Sequence, residues 1–184
     1  MIKFIVICFL LNFYTPAFSS SKEEIISQMQ LTDNLSFNFI QTIDNKNANG
    51  KCIIKYPKKI WCVYSNSNKK IIVSNGKSLV VKTANTDSYY LYPLNKTPLV
   101  FLLDKEYLIS KINILKPREI DNKYLNFEIS ENNNVINIFF DKKNLSLVGW
   151  QTEDIYQNLV VTFISSVKIN QKINEDIFKL PSRD

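Results

Sequence analysis

The sequence predicts a mostly β, single-domain protein: one strongly curved antiparallel sheet, or an open barrel, of about eleven short strands with short helices against one face. Three observations point there. Gly is scarce at 3 while Phe and Tyr number 12 and 9, a balance that suits pleated sheet better than a glycine-rich nucleotide-binding scaffold. Short runs of alternating apolar and polar residues recur along the chain. Asn, Asp, Pro, Lys and Gly, common in turns and exposed breaks, separate them. With 184 residues, 45% apolar and 22% charged, the chain suits one ordinary globular domain and is not a disordered one.

The first residues stand apart from that fold. Met1-Ile2-Lys3 gives a positive start, Phe4 to Tyr14 is an apolar run too short to span a bilayer, and Ala17-Phe18-Ser19 fits a small-x-small cleavage pattern. Residues 1–19 therefore read as a secretory signal peptide and 20–184 as the exported domain, starting at Ser20. Cys8 leaves with the peptide, and Ile7 before it makes it a poor acylation site, so release rather than anchoring is expected.

Ser21 and Glu24 form a capping box that opens a first helix, which stops by Thr32-Asp33-Asn34. Strands are then expected at Leu35 to Ile43, Lys51 to Tyr56, Ile60 to Tyr64, Lys70 to Ser74, Leu79 to Thr83 and Ser88 to Tyr92, with Asn75-Gly76 a strong hairpin turn. Thr97 as N-cap and Pro98 at the first helical position introduce a single helix, Leu99 to Asp104, apolar on every side. Such a helix is buried or covers something apolar. Strand-like runs resume near Ile112 to Leu115, Tyr124 to Ser130, Asn134 to Phe140, Ser146 to Thr152 and Leu159 to Ser165.

Cys52 and Cys62 remain in a compartment where disulfides persist. With a three-residue loop at Pro57-Lys58-Lys59, Ile54 faces Cys62 and Cys52 is only its diagonal neighbour; with a two-residue loop the cysteines point to opposite faces. A bridge depends on register or a bulge, and the other reading is two small apolar fillers.

The absence of His removes Ser-His-Asp and Cys-His catalysis, imidazole zinc sites and imidazole pH switches. Each acidic cluster, Glu23-Glu24, Asp104 with Glu106, and Glu153-Asp154, sits near a turn or helix end, where carboxylates cap or solvate. Ser74-Asn75-Gly76-Lys77-Ser78 contains Gly-Lys-Ser but lacks the first Gly of a phosphate loop and lies in a hairpin. The net charge of +6 is mostly Lys, without Arg clusters or a nucleic-acid-binding motif. No enzyme activity, cofactor, metal or nucleic-acid partner is expected.

Several residues in order resemble the LolA family of periplasmic lipoprotein carriers: Phe39-Ile40-Gln41-Thr42, Gly50, Tyr56-Pro57, Ser74-Asn75-Gly76-Lys77, Thr97-Pro98 with Leu99 to Leu103, then Trp150, Asp154 and the Phe178 to Pro181 ending. The resemblance covers essentially the whole exported chain. It implies an incomplete antiparallel barrel lidded by helices, located in the periplasm and acting as a monomer. Its cargo would be acylated lipoproteins, received from an inner-membrane ABC-type transporter and delivered toward an outer-membrane acceptor. Carried over by position, Phe39, Ile54, Tyr56, Ile60 and Cys62 would line the lipid cavity, and Leu99, Leu102 and Leu103 would close it. The family places Arg before the Pro of the turn where this chain has Tyr56, so a lid held more weakly is expected. Cys62 likewise replaces a bulkier aromatic. A non-transport binding module on the same scaffold, such as a sensor or receptor domain, is the alternative reading.

Overall fold

The computed structural model describes residues 20–65, 69–86, 88–131, 134–154 and 157–183. The expected signal peptide, with Cys8, lies outside the described residues. Among those described, eleven strands form one antiparallel sheet: β1 (Asn34–Ile43), β2 (Lys46–Lys55), β3 (Lys59–Tyr64), β4 (Lys70–Asn75), β5 (Ser78–Thr83), β6 (Ser88–Pro93), β7 (Arg118–Ile120), β8 (Tyr124–Glu131), β9 (Asn134–Asp141), β10 (Leu147–Glu153) and β11 (Leu159–Ile169). Their order is β6-β5-β4-β3-β2-β1-β11-β10-β9-β8-β7. The sheet curves strongly without closing, and β6 and β7 are its edges.

Three helices, α1 (Ser21–Gln30), α2 (Leu99–Leu103) and α3 (Lys105–Ile114), cover its concave side. Topology dictates part of this cover. The chain leaves one edge at β6 and re-enters at the other at β7, so α2 and α3 must cross the open mouth. Leu35, Phe37, Phe39, Ile54, Ile60, Phe127 and Ile138 are buried from the sheet, and Ile25, Leu103, Leu108 and Ile112 meet them from the helices. On the convex side the 3₁₀ turn Glu175–Phe178 contacts β3 and β4 and buries Phe178, while Lys55 and Lys59 both bind Glu175.

Five local expectations change. The capping box begins one residue earlier: the Glu23 amide donates to Ser20 Oγ at 3.3 Å and the Ser20 amide donates to Glu23 Oε2 at 2.8 Å. Adjacent Ser and adjacent Glu residues make both boxes fit the sequence. β2 starts at Lys46, because Asp44 and Asn45 both adopt positive φ and form a two-residue hairpin with Ile43 paired to Lys46.

The single apolar helix is two helices. Asp104 is extended and ends α2, and it then caps α3 by accepting from the Tyr107 amide at 3.2 Å. Ile112 to Leu115, expected as a strand, therefore belongs to α3 and its C-cap. Leu108 and Ile112, four residues apart, form the buried face of α3, and the eleventh strand is β7 instead.

Finally, the β2–β3 loop is Tyr56-Pro57-Lys58, with a cis Tyr56–Pro57 peptide and Lys55 opposite Lys59. Moving the loop one residue earlier shifts the pairing by two, so Cys52 faces Cys62 directly. The two form a disulfide within the buried concave wall.

Candidate functional site

Among the described residues, two cavities on the concave side of the sheet flank Leu102. The first, about 390 Å³, is walled by α1, α2 and α3 above and by β9 and the β9–β10 turn below. Ile25, Met29, Leu102, Leu108, Ile112, Ile138, Phe140, Leu145 and Leu147 make it apolar, and Tyr56 closes one side. Leu31, Val167 and Ile169 also line it but are 72%, 37% and 51% exposed, so its mouth is an apolar rim in contact with water. Its volume falls in the range of about 300–1,000 Å³ usual for small-molecule sites. Burial pushes the Tyr56 phenol well above its ordinary pKa, so the wall carries no charge there.

The second cavity, about 380 Å³, lies under the start of α2 and over β3 to β6, β10 and β11. Leu79, Val81, Leu99, Ile136 and Trp150 line it together with Gln41, Tyr64 and Lys70. Tyr64 donates to Gln41 Oε1 at 2.8 Å, and Gln41 Nε2 donates to Thr162 Oγ1 at 3.1 Å, which satisfies this polar floor.

Of the residues expected at the site, Tyr56 and Leu102 meet at the first cavity, and Leu99 and Leu102 meet at the second. Phe39, Ile54, Ile60, Cys62 and Leu103 lie in the same concave core, fully packed, and line neither cavity. Phe39 sits edge-on to Tyr64 with ring centroids 4.9 Å apart. Gly50 opposite it provides the space, since a Cβ there would fall 2.8 Å from the Phe39 ring and 2.1 Å from the Val63 carbonyl oxygen.

Sequence reasoning missed the groups that fasten α2 over the sheet. The Lys58 amide donates to the Leu103 carbonyl at 2.8 Å, and Lys58 Nζ lies 3.0 Å from Asp104 Oδ2. On the sheet side Ser74 Oγ donates to the Lys58 carbonyl at 3.0 Å. One turn residue is thus bonded to the sheet and to the end of α2. Tyr56 carries no such bond to α2 among the described residues, and the positive charge beside Asp104 comes from Lys58, two positions later. Lys105 adds a second tie, donating to the Thr32 and Gln30 carbonyls at 3.0 and 3.2 Å, while Lys22 donates to the Asn113 carbonyl at 2.8 Å. These lysines strap the antiparallel α1–α3 pair at both ends. The available signal was charge: Lys58 follows the turn proline, and Asp104 is the first acid after the apolar helix.

The structure resembles that of a conserved protein from Thermus thermophilus, 8% identical, covering 90% of this chain and 96% of that one with a TM-score of 0.53. A LolA superfamily protein from Nitrosomonas europaea is 9% identical over 88% of this chain and 99% of that one, TM-score 0.48. An outer membrane lipoprotein-sorting protein domain from Vibrio parahaemolyticus is 8% identical over 87% and 97%, TM-score 0.46. No curated protein sequence matches. The sequence does match the family described as outer membrane lipoprotein carrier protein LolA, over residues 30–181. Because that match runs through the sheet, the helices that cross its mouth and the C-terminal turn alike, the chain belongs to the LolA family.

Proposed function

We propose that the protein is a periplasmic carrier that shields lipoprotein acyl chains in its apolar cavity and delivers them toward the outer membrane. The observation that carries this reading is the cavity of about 390 Å³ between the helices and the sheet, with Leu31, Val167 and Ile169 exposed at its mouth. Removing acyl chains from water is worth about 0.8 kcal/mol per CH₂ group, so a cargo in transit needs an apolar enclosure. It also needs release. The half-buried Lys58–Asp104 pair and one backbone bond add only a modest polar tie to the apolar contacts of the lid, whereas a sealed core pocket would retain the chain. In this reading the donor is an inner-membrane ABC-type transporter and the receiver an outer-membrane acceptor, and the carrier travels as a monomer after loss of residues 1–19.

The test is binding and transfer of acylated cargo. The purified protein is expected to bind a fluorescent fatty-acyl probe and to extract a triacylated lipoprotein from vesicles. Val167→Asp, at the exposed rim, is expected to abolish both without loss of β circular dichroism, because a charge there faces incoming hydrocarbon but costs little in the empty protein. Leu102→Asp is expected to abolish binding and also to lower stability, since Leu102 is buried. Probe binding without lipoprotein extraction would replace the carrier by a binding module on the same scaffold.

A further inference from the structure

The second cavity contains a feature that a container for hydrocarbon does not need. Lys70, at the start of β4, lines it and is half-buried. Among the described residues its ammonium has no ion pair and no hydrogen bond; its one partner is the face of the Tyr64 ring, 3.8 Å away. Two carboxylates also line this cavity and neither pairs with Lys70. Asp154 accepts from the backbone and side-chain amides of Asn158 at 2.9 and 3.0 Å, and Glu153 is exposed.

A cation stripped of much of its water and given only a ring face is under-compensated. Its surroundings disfavour the charged form: burial lowers the Lys70 pKa from its ordinary value. A ligand anion reaching Nζ would supply the missing partner. The rest of the cavity, with Leu79, Val81, Leu99 and Trp150, would take an attached apolar chain.

We propose that this second compartment is a binding site for an anionic single-chain amphiphile, with Lys70 holding the carboxylate or phosphate head and the apolar walls beside Leu102 holding the chain. The inference deepens the carrier reading and rests on it only for the presence of acyl chains. It assigns the two cavities different duties, the first reading hydrocarbon and the second also reading charge.

Trp150 lines the second cavity and not the first, so it reports occupancy of this compartment. In a Trp61→Phe background, 11-bromoundecanoate is expected to quench Trp150 fluorescence with a Kd at least about tenfold below that of 11-bromoundecanol, the return on a charged hydrogen bond. Lys70→Met is expected to raise the Kd of the acid to that of the alcohol, and Lys70→Arg to preserve the difference. A bromoalkyl phosphate separates the sources of the anion: tighter binding than the carboxylate assigns the site to a phospholipid-type head, weaker binding to a free fatty acid. Displacement of the bromoacid by inorganic phosphate alone would show a bare anion site and overturn the proposal. So would equal Kd values for acid and alcohol in the wild type, or a preference that survives Lys70→Met in a protein whose melting temperature is unchanged. If the acid and alcohol bind equally while lipoprotein is still extracted, the carrier reading stands without this site. Absence of quenching by every chain overturns the proposal, and absence of lipoprotein extraction as well removes the carrier reading.

Discussion

On one side of Leu102 the cavity wall is apolar and opens through an exposed apolar rim; on the other, a hydrogen-bonded floor of Tyr64, Gln41 and Thr162 lies beside Lys70, which has no ion pair among the described residues. The same short helix roofs both. The difference comes from what the sheet presents beneath it. β9 contributes Ile138 and Phe140 and β10 Leu147, which offer only dispersion and shape, while β1, β3 and β4 place Gln41, Tyr64 and Lys70 at the far end of the same concave face. A single curved sheet can thus enclose two chemically different spaces, with one leucine between them.

The most damaging way to break that contrast is to remove the divider. Leu102→Ala joins the two spaces and is expected to cost about 3 kcal/mol in urea unfolding, because a buried Leu side chain is lost and the cavity around it enlarges. The joined space should also erase the difference between Trp150 quenching and total acyl-probe binding. Independent titrations in the variant would show that another residue divides the cavities.

Tyr64→Phe acts on the polar side alone. It deletes the donor to Gln41 and leaves that amide oxygen short of a partner, at an expected cost of about 1–2 kcal/mol. Acyl-probe affinity at the first cavity should stay within about twofold of wild type, and a larger loss would show that the two sides are coupled.

A smaller effect is expected at the lid tie, which holds the roof of both. Lys58→Met removes an ion pair whose side chains are 39% and 28% exposed, so about 0.5 kcal/mol is expected, with stopped-flow uptake of an acyl probe faster by roughly twofold. Added salt should accelerate the wild type and leave the variant unchanged. Tyr56→Phe should leave uptake unaltered, since Tyr56 makes no bond to the lid among the described residues.

The smallest effect concerns how α3 is anchored to the sheet. Glu131 on β8 accepts from Lys111 Nζ at 2.8 Å and from Tyr107 Oη at 3.2 Å, and the Lys111 hydrogen bond, followed by its charge, holds the Glu131 carboxyl below its ordinary pKa. A depressed carboxylate stabilises the fold above its unfolded-state pKa and loses that contribution as pH falls through the folded value. The urea midpoint should therefore decline slightly through the acidic carboxylate range, and Glu131→Gln should flatten that decline. An identical pH slope in the variant would place the titration elsewhere.

Much of the strand pattern was legible because alternation is a local property. Val-Ile-Phe-Tyr runs with polar partners mark a half-buried strand wherever it pairs, and Asn75-Gly76 marks the β4–β5 turn by its conformational preference, realised with Gly76 at φ 96°. α3 was not legible as a helix. Its Ile-Asn-Ile-Leu ending mimics strand alternation, and the helix follows from a cap by Asp104 and from packing against α1 that no local window contains. The candidate cavity residues divide for a similar reason. Period-two alternation places Phe39, Ile54, Ile60 and Cys62 on the concave face, but whether a concave residue is sealed in the core or borders a void depends on where the helices land.

The sequence by itself determined that this chain is a mostly β domain with an apolar helical segment that is either buried or covers something apolar, that it contains no His, and that its residues follow the LolA order. The tertiary structure alone decided the rest: the register that sets Cys52 against Cys62, the pairing of Lys58 with Asp104 at the end of α2, and the division of the interior by Leu102. These depend on contacts between segments tens of residues apart. A shift of the loop by one residue changes every cross-strand partner beyond it, and a void belongs to no single segment but to the mismatch between the sheet and the helices that roof it.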